Sequence, residues 1–382
     1  MRWLLFIVSI VLPEQILGEN ALLPHQPEIF KQLDSLSSHD GPGVQYILLD
    51  KDKIVFSASR GLADIENNTP MTIDHTMPIF SMTKTLTAIS ILQLVERQKL
   101  DLDDRVSNYV KHPYNQDITI RHLLSHTSGI PNPVPLRWVH LADDHHSFDE
   151  QQSLTSILEN NSDSESEPGE KYGYTNIGYW LLGGVIKTVS GKNFCSFIEE
   201  NITHKLGLSF NEIGCEIVDI KNHAKGYLKK YSFFNLTKYF IMDKSTWGGY
   251  EDSWLRINNV YLNGPSFGGL ISSSRTISHI LQDLLKDRSQ LLGDNMKSAL
   301  YTQQKTTDGK YIEMTLGWHI GSMNSAKYFF KEGGGAGFHC EMRIYPGNGL
   351  ASVMIVNRTS LNTNKKLSQL DSWFIKKYNK SN

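Results

Sequence analysis

A serine and a lysine three positions apart, Ser81 and Lys84, stand at the start of a long apolar stretch of the sequence. This spacing places both side chains on one face of a helix, and the first turn of a helix leaves backbone N–H groups unpaired beside the serine. A serine hydroxyl is a weak nucleophile until a base takes its proton. A lysine can be that base when burial or positive potential disfavours its ammonium form. The pair therefore indicates nucleophilic catalysis, although alone it also fits an N-cap followed by a solvated lysine.

Two later segments contain further candidate residues. Residues 168–176 read PGEKYGYTN and contain Tyr174 and Asn176, and residues 331–338 read KEGGGAGF and contain Lys331 and Gly333. A glycine such as Gly333 suits a backbone position that a substrate approaches closely. Taken alone, Tyr174 and Asn176 fit a turn before a helix, with the asparagine as its cap.

The three segments together match the order SxxK, YxN, [K/H]xG, and residues 118–131 (ITIRHLLSHTSGIP) follow the first of them. Over about residues 25–378 the chain resembles the serine β-lactamase and penicillin-binding-protein superfamily, specifically its class C β-lactamase-like branch with esterases and D-amino-acid peptidases. SxxK and KTG are motifs of related enzymes. The resemblance implies an α/β (α+β) fold of the β-lactamase/transpeptidase type, with an antiparallel sheet built from both termini, flanking helices and a helical subdomain. It implies no metal and no cofactor.

The resemblance also implies a role for each matching residue. Ser81 is expected to be the acyl-forming nucleophile, and Lys84 its proton acceptor. Tyr174 matches a phenol that shuttles protons to the leaving group and from the deacylating water, a role for which Lys84 and Lys331 should lower its pKa. Asn176 matches an amide that positions the substrate and holds the lysine.

The third motif carries the remaining expected roles and one departure from the family pattern. Lys331 matches a cation on a strand that lines the cleft, and the backbone N–H groups of Ser81 and Gly334 are expected to form the oxyanion hole. Glu332 stands where β-lactamases usually have threonine or serine, whose hydroxyl helps to bind a substrate carboxylate. If Glu332 faces the cleft, its charge repels that carboxylate; if it points away, it changes little.

Apolar patterning predicts the elements that must position these residues. Residues 46–49 and 54–58 are predicted to form a hairpin around a charged turn. Residues 82–96 are predicted to form a core helix that is apolar on most faces. Further predictions are a loop at 140–168, a buried helix at 179–189, strands at 341–345 and 350–356 around a turn, and a helix at 365–378. We expect one domain over residues 19–382, with an α/β lobe at about 25–80 and 265–380 and a mainly helical lobe at about 81–264.

The N-terminus predicts export. A basic start is followed by an apolar run at residues 3–12, which is shorter than the roughly 20 residues of a spanning helix. Pro13 and Gly18 then suit a signal peptide over residues 1–18, although a buried N-terminal helix or strand is an alternative. We therefore expect a secreted or periplasmic chain without a membrane span after cleavage.

Composition excludes several classes of function. The 382 residues include 38 Lys and Arg against 40 Asp and Glu, which argues against a nucleic-acid binder with a basic face. Cys195, Cys215 and Cys340 are widely spaced, so they allow at most one disulfide and offer no clustered zinc site.

Other chemically suggestive patterns have simpler interpretations. Residues 264–268 (GPSFG) match the GxSxG nucleophile elbow around Ser266, but Pro265 is awkward in that turn. His122 and His126 lack the glutamate of a zinc-binding HExxH motif, so packing is expected. The His145-His146 pair fits a solvated loop. The aromatic residues of 226–262 more often indicate a core than a substrate groove.

The sequence therefore predicts a serine hydrolase that forms an acyl-enzyme at Ser81. Its expected substrates are small molecules or peptides with ester, amide, β-lactam or D-amino-acid peptide bonds, including cell-wall peptidoglycan fragments. The alternative is a catalytically weak binding or scaffold protein that keeps the fold.

Overall fold

The computed structural model describes residues 26–37, 40–133, 137–359 and 362–378. The α-helices in these ranges are α1 Gln26–Asp34, α2 Thr83–Glu96, α3 Ile120–Leu124, α4 Glu150–Asn160, α5 Asn176–Ser190, α6 Phe194–Ile198, α7 Phe233–Ile241, α8 Pro265–Gly268, α9 Ser274–Leu285, α10 Asp294–Tyr301 and α11 Thr363–Tyr378. The strands are β1 Val44–Asp50, β2 Ile54–Arg60, β3 Leu62–Asp64, β4 Thr69–Pro70, β5 Met77–Pro78, β6 Val139–Leu141, β7 Ile213–Gly214, β8 Gly226–Lys229, β9 Trp247–Glu251, β10 Trp254–Ile257, β11 Val260–Leu262, β12 Ile271–Ser272, β13 His319–Met323, β14 Ala326–Gly335, β15 Phe338–Tyr345 and β16 Leu350–Val356.

The main sheet joins the two ends of the chain, as the sequence predicted. Its six strands run in the order β13-β14-β15-β16-β1-β2, and every neighbouring pair is antiparallel. The N-terminal strand β1 pairs with the C-terminal strand β16, from Val44 opposite Val356 to Asp50 opposite Leu350. The predicted hairpin at 46–58, the strand pair at 341–356 and the terminal helix are thereby confirmed.

Alternation along β1 divides the core into two layers. Tyr46 and Leu48 belong to a cluster that packs under α1 and α11, whereas Ile47 and Leu49 belong to the large cluster shared with the helical lobe. Successive side chains of a strand point to opposite faces, so one apolar strand serves both layers. Both faces of this antiparallel sheet are covered, which explains the nearly continuous apolar run in the sequence.

Helix α2 lies at the centre of the larger core. Its residues from Thr83 to Leu94 are all buried, and Leu86, Ile89 and Leu92 are completely inaccessible to solvent. A helix buried on all sides provides a dry environment for any polar group that it carries. The predicted core helix at 82–96 is therefore confirmed.

The lobe expected to be mainly helical also contains strands. Between α2 and α8 the chain forms the three-stranded sheet β8-β10-β9 and the pair β6-β11. Residues 140–168, which we expected to be a loop, include α4. Asp149 caps this helix by accepting a hydrogen bond from Gln152 N, and Leu154, Ile157 and Leu158 form a narrow buried stripe. The acidic, serine-rich composition concealed that i, i+3, i+4 pattern.

The aromatic residues of 226–262 divide between two environments. Tyr227 and Trp254 are buried together in a small cluster, but Phe233, Tyr239 and Phe240 are exposed on or beside α7. The expectation of a core is therefore wrong for the α7 part of the stretch. The apolar pattern alone did not show that this helix turns its aromatic face outward.

The cysteines form one disulfide, Cys195–Cys215, and Cys340 is free and buried. The predicted signal peptide at residues 1–18 lies outside the described residues. Within the described ranges, no helix combines the length and the apolar character that crossing a bilayer requires.

A buried hydrogen-bond network fastens α11 to the sheet. The Asp371 carboxylate accepts hydrogen bonds from the Tyr46 hydroxyl (2.9 Å), the Tyr345 hydroxyl (2.6 Å) and the Ser352 hydroxyl (2.7 Å). All of these groups are buried, so each needs a partner inside the protein.

We expect Asp371→Ala to lower the free energy of unfolding by about 3 kcal/mol, because it leaves three buried hydroxyls without their acceptor. Urea denaturation followed by circular dichroism measures this loss. As a control, Asp287→Ala removes an exposed carboxylate and should cost less than about 0.5 kcal/mol. An equally small loss for Asp371→Ala would show that the network does not hold α11 in place.

Candidate active site

Ser81 lies in a single 3-10 turn, Phe80–Met82, that leads directly into α2. Phe80 has a φ of +41°, in the left-handed region that bulky residues rarely adopt. Such a conformation persists only where neighbouring structure holds it. Here the Ile79 N–H donates to the Leu270 carbonyl, and the Met82 N–H donates to the Ile79 carbonyl. The turn presents the half-buried Ser81 side chain at the N-terminal end of the core helix.

The Lys84 amine is held by three oxygen atoms at the buried start of α2. Its Nζ lies 3.1 Å from Ser81 Oγ, 2.7 Å from Asn176 Oδ1 and 2.5 Å from the Phe267 carbonyl oxygen. Burial, and then the charge of Lys331, hold the pKa of Lys84 well below its ordinary value. A neutral amine can donate two hydrogens to the two carbonyl oxygens and direct its lone pair at the Ser81 hydroxyl. This geometry suits a base that takes the serine proton.

Tyr174 contacts the same serine oxygen. Its hydroxyl donates a hydrogen bond to Ser81 Oγ over 2.8 Å. The nitrogen atoms of Lys84 and Lys331 lie 5.1 Å and 5.0 Å from the centre of the Tyr174 ring. The serine oxygen therefore contacts both a basic amine and a phenol, at distances that allow proton transfer.

The expected lowering of the Tyr174 pKa is wrong. Burial raises the pKa of this phenol above its ordinary value and outweighs the lowering by the Ser81 hydrogen bond, while Tyr172 and then Glu332 add smaller increases. No lowering by either lysine offsets this effect of burial. Tyr174 is therefore a neutral phenol that donates to Ser81 and can pass a proton, and Lys84 is the better base.

Lys331 is buried on β14 beside His319 of β13. The two side-chain nitrogens, Lys331 Nζ and His319 Nε2, are 3.4 Å apart. Burial lowers the pKa of Lys331 to about 7, although neighbouring Glu332 opposes this shift. Burial, followed by the charges of Lys331 and Lys84, also lowers the pKa of His319 to about 2, so its imidazole is neutral and can accept a hydrogen bond. Near neutral pH, Lys331 can hold or release a proton.

The glycines after Lys331 let β14 lie against the serine. A Cβ atom on Gly333 would stand 2.6 Å from Ser81 N and 2.8 Å from the Ile79 carbonyl oxygen, both of them backbone atoms. A Cβ atom on Gly334 would meet nothing closer than 3.4 Å. Gly334 and Ser81 line one cavity, so their expected partnership as an oxyanion hole is geometrically consistent and stays a prediction.

Glu332 points to the other side of β14. Its neighbour Gly333 faces Ser81, and alternation along the strand turns Glu332 to the face that carries its register partner Glu341. Glu332 is exposed to solvent. Its charge nevertheless acts on the site, because it raises the pKa values of both Tyr174 and Lys331. The Glu332 side chain therefore points away from the cleft, but its charge still shifts the pKa values of groups in the site.

A cavity of about 460 Å³ opens beside the serine. This volume lies within the usual range for small-molecule sites. Ser81, Asn176 and Phe267 line it, together with apolar residues of β6 and β11. The remaining lining includes Arg137, His140, Asp144 and residues 242, 243, 245 and 246, which follow α7. A substrate at Ser81 would meet an apolar surface with a few charged groups.

Sequence reasoning missed several residues that organise the site. Asn132 Oδ1 accepts hydrogen bonds from both the backbone and side-chain nitrogens of Asn176. The centre of the buried His126 ring lies 4.3 Å from that of the Tyr174 ring, with the two planes tilted by 36°, and the Phe267 carbonyl holds Lys84. Motif spacing gives no signal for a backbone carbonyl such as that of Phe267. Asn132 could have been found, because it directly follows the segment 118–131 that contributed to the resemblance.

The position of Ser266 does not suit a nucleophile. It is completely buried in the short helix α8, and its hydroxyl donates to the Tyr179 carbonyl over 2.9 Å. The following residue, Phe267, supplies the carbonyl that holds Lys84. The GPSFG segment therefore supports the Ser81 site rather than forming a nucleophile elbow.

The histidine pairs contact nearby protein groups. His122 Nδ1 accepts from Thr119 N, and His126 Nδ1 accepts from Thr175 N. His145 Nδ1 lies 2.9 Å from His140 Nε2. In the part of the chain that the structure describes, no cluster of three or more His, Cys, Asp or Glu side chains is arranged to hold a metal ion.

Comparison with known proteins identifies the family of this chain. A family model described as Beta-lactamase matches residues 27–370, and the chain belongs to this family. Penicillin-binding protein 4* of Bacillus subtilis strain 168 is 27% identical over 303 residues, which cover 76% of this chain and 63% of that protein. The chain spans less than two thirds of the length of the curated relatives that it matches.

Solved structures establish the fold. The D-amino acid amidase of Ochrobactrum anthropi SV3, complexed with D-phenylalanine, superposes with a TM-score of 0.73 at 21% identity, covering 91% of this chain and 98% of that one. The β-lactamase/D-alanine carboxypeptidase of Pseudomonas syringae superposes with a TM-score of 0.68 at 16% identity, covering 92% and 97% of the two chains. The predicted β-lactamase/transpeptidase-type fold is confirmed.

The close contact between β14 and Ser81 predicts a difference between two adjacent glycines. We expect Gly333→Ala to reduce the rate at which a fluorophosphonate labels Ser81 by about a hundredfold, because the new methyl group must displace the backbone of the nucleophile. Gly334→Ala keeps its N–H group and has room for the methyl, so its labelling rate should stay within about threefold of the unmodified chain. Intact-mass spectrometry follows both rates. Equal rates for the two variants would contradict the placement of Gly333.

Proposed function

We propose that the chain is a serine hydrolase that works through an acyl-enzyme at Ser81. The observation that carries this proposal is the pair of contacts on one oxygen atom: Lys84 Nζ at 3.1 Å and the Tyr174 hydroxyl at 2.8 Å from Ser81 Oγ. Covalent catalysis of this kind divides one difficult hydrolysis into two easier steps. The family membership supports the proposal, since the residues of its motifs meet at this oxygen.

The contacts suggest a path for the protons. Neutral Lys84 accepts the Ser81 proton while Oγ forms a bond to the substrate carbonyl carbon. The backbone N–H groups of Ser81 and Gly334 would stabilise the oxyanion. Collapse of the tetrahedral intermediate breaks the bond to the leaving group, which takes a proton from the Tyr174 hydroxyl, and Lys84 returns a proton to Tyr174. In the second step, water attacks the acyl carbon while neutral Lys84 accepts its proton. Collapse of this tetrahedral intermediate breaks the bond to Ser81 Oγ, which takes a proton from the Tyr174 hydroxyl, and Lys84 returns its proton to Tyr174.

Esters, amides and D-amino-acid peptides are the proposed substrates, including fragments of cell-wall peptidoglycan. The names of the similar proteins support this class, as they include a D-amino acid amidase and a D-alanine carboxypeptidase. The YxN form of the second motif supports assignment to the class C-like branch. The negative charge of Glu332 near Lys331 favours substrates that lack a free carboxylate beside the scissile bond, so efficient β-lactam hydrolysis is not expected.

The proposal extends to a secreted or periplasmic chain. The Cys195–Cys215 disulfide supports export, because disulfides persist in oxidising compartments. The signal peptide over residues 1–18 remains a prediction from the sequence.

Covalent labelling tests the nucleophile. We expect a fluorophosphonate or fluorescent penicillin to add one adduct to Ser81, which peptide mass spectrometry locates, and Ser81→Ala to abolish both the adduct and hydrolysis of an activated ester. Ser266→Ala is the matched control; it should keep activity within about threefold, since that hydroxyl only donates to a backbone carbonyl. Activity that survives Ser81→Ala would overturn the assignment. A folded chain without an adduct would favour the catalytically weak binding protein.

The charges of Lys331 and Glu332 on β14 predict how strongly the site discriminates between substrates with and without a carboxylate. Two matched esters that differ only in a terminal carboxylate or carboxamide provide the comparison. Because the pKa of Lys331 is about 7, its cation is present below pH 7 and is lost as the pH rises. The ratio of kcat/KM for the carboxylate ester to that for the carboxamide ester should therefore fall between about pH 6 and pH 8.

Because Glu332 raises the pKa of Lys331, the variant is compared at about pH 5, where the Lys331 cation persists without it. There Glu332→Gln should raise this ratio by about fivefold, because a repelling charge is removed. Glu159→Gln removes an exposed carboxylate from α4 and should leave the ratio unchanged. A ratio that does not respond to Glu332→Gln would show that this charge plays no part in selecting substrates.

A further inference from the structure

Helix α7 has its polar and apolar sides reversed relative to an ordinary surface helix. Phe233, Leu236 and Phe240, spaced i, i+3 and i+7 on one side, are 73%, 70% and 72% exposed. On the side facing the protein, Asn235 and Lys238 are only 3% and 8% exposed. A surface helix normally buries its apolar stripe and exposes its polar one, so this orientation needs an explanation.

Polar contacts hold the helix in this orientation. Lys238 Nζ donates to Asn235 Oδ1 over 2.6 Å and to the Tyr250 hydroxyl over 3.3 Å, and it lies 5.1 Å from the centre of the Trp247 ring. At the end of α7, Arg137 Nη2 donates to the Phe240 carbonyl over 2.9 Å. The contacts with Trp247 and Tyr250 of β9 and with Arg137 tie α7 to its neighbours, and they hold its apolar side outward.

The exposed apolar side chains are concentrated in this region. The structure describes eleven exposed large hydrophobic side chains, and seven of them fall between residues 231 and 250: Tyr231, Phe233, Phe234, Leu236, Tyr239, Phe240 and Tyr250. We call these seven residues the α7 face. Exposed apolar side chains that are concentrated in one region usually mark a contact site.

Basic residues surround the α7 face. Lys229 and Lys230 precede the helix and Lys244 follows it, and all three are exposed. From residue 229 to residue 244 the sequence contains four lysines and one aspartate, whereas the whole chain has a net charge of −2. Aromatic and leucine side chains bordered by lysines are the composition of helices that lie in the interface of an anionic bilayer. Tyrosines suit the same boundary, because one end of the ring is apolar and the other is polar.

We propose that the α7 face docks the protein on the surface of an anionic lipid bilayer. Phe233, Leu236 and Phe240 enter the boundary between headgroups and acyl chains, and Lys229, Lys230 and Lys244 contact the lipid phosphates. A symmetric dimer through the same face fits less well, because it would bring each set of lysines close to the identical set of a second copy.

Docking through α7 would also affect access to the candidate active site. Met242 and Asp243, which directly follow α7, line the cavity beside Ser81. Docking through α7 therefore brings one rim of that cavity to the lipid surface. An ester or amide carried on an amphiphilic molecule could then reach Ser81 without leaving the membrane interface.

Vesicle sedimentation tests the proposal independently of catalysis. The full chain is mixed with phosphatidylcholine vesicles that do or do not contain phosphatidylglycerol. We expect binding to the anionic vesicles, with a partition coefficient that falls about tenfold in Phe233→Gln/Leu236→Gln/Phe240→Gln. The matched control Ile220→Gln/Tyr311→Gln changes exposed apolar residues elsewhere and should bind as the unmodified chain does. All variants have the same N-terminal residues, so a difference in vesicle binding between them arises from the substitutions in α7.

Two further variants separate the contributions of apolar burial and charge. Lys229→Gln/Lys230→Gln/Lys244→Gln should remove the preference for anionic vesicles, and high salt should weaken binding of the unmodified chain. Phe240→Trp should show a blue-shifted tryptophan emission when anionic vesicles are added. Equal binding by the unmodified chain and the triple glutamine variant, or no binding by either, would overturn the proposal. A dimer in sedimentation velocity that the triple glutamine variant abolishes would assign the α7 face to a second copy instead.

Discussion

The buried amine of Lys84 is the constraint on which the site depends. A charged ammonium inside an apolar core is costly, so the protein must either supply strong partners for it or favour its neutral form. The structure supplies two carbonyl acceptors, from Asn176 and Phe267, and no carboxylate contacts the amine among the hydrogen bonds and ion pairs of the described residues. Two carbonyls satisfy the two hydrogens of a neutral amine and leave its lone pair for Ser81. The base is therefore created by the same burial that stabilises the core.

The chain reaches this arrangement by joining distant segments. The serine and lysine are local, since they share the start of α2, but Tyr174 and Asn176 precede and begin α5, and Lys331 lies on β14. Pairing of β1 with β16 brings the two ends of the chain into one sheet, and Gly333 allows β14 to approach Ser81 N. Both lysines consequently lie about 5 Å from the centre of the Tyr174 ring.

The sequence predicted the fold and the composition of the site well, because periodic apolar segments and short motifs are local signals. It did not predict the ionisation of Tyr174: the motif suggested that two nearby lysines lower its pKa, whereas burial of the phenol raises it. Burial depends on the whole fold and cannot be read from spacing. Helix α4 was missed because its narrow stripe lies in an acidic segment, and α7 was misjudged because an apolar pattern does not show whether its face turns inward or outward. The carbonyl of Phe267 had no sequence signal at all.

The protonation state of Lys84 tests the account most directly. Protein carrying ¹³C at the lysine ε position can be titrated by NMR, and the Lys84 signal can be assigned by its loss in Lys84→Arg. The account predicts a midpoint well below the ordinary lysine value of about 10.4, so that the amine is largely neutral at the pH at which Ser81 reacts. A Lys84 signal that titrates near the ordinary value would contradict the claim that a neutral lysine takes the proton from Ser81.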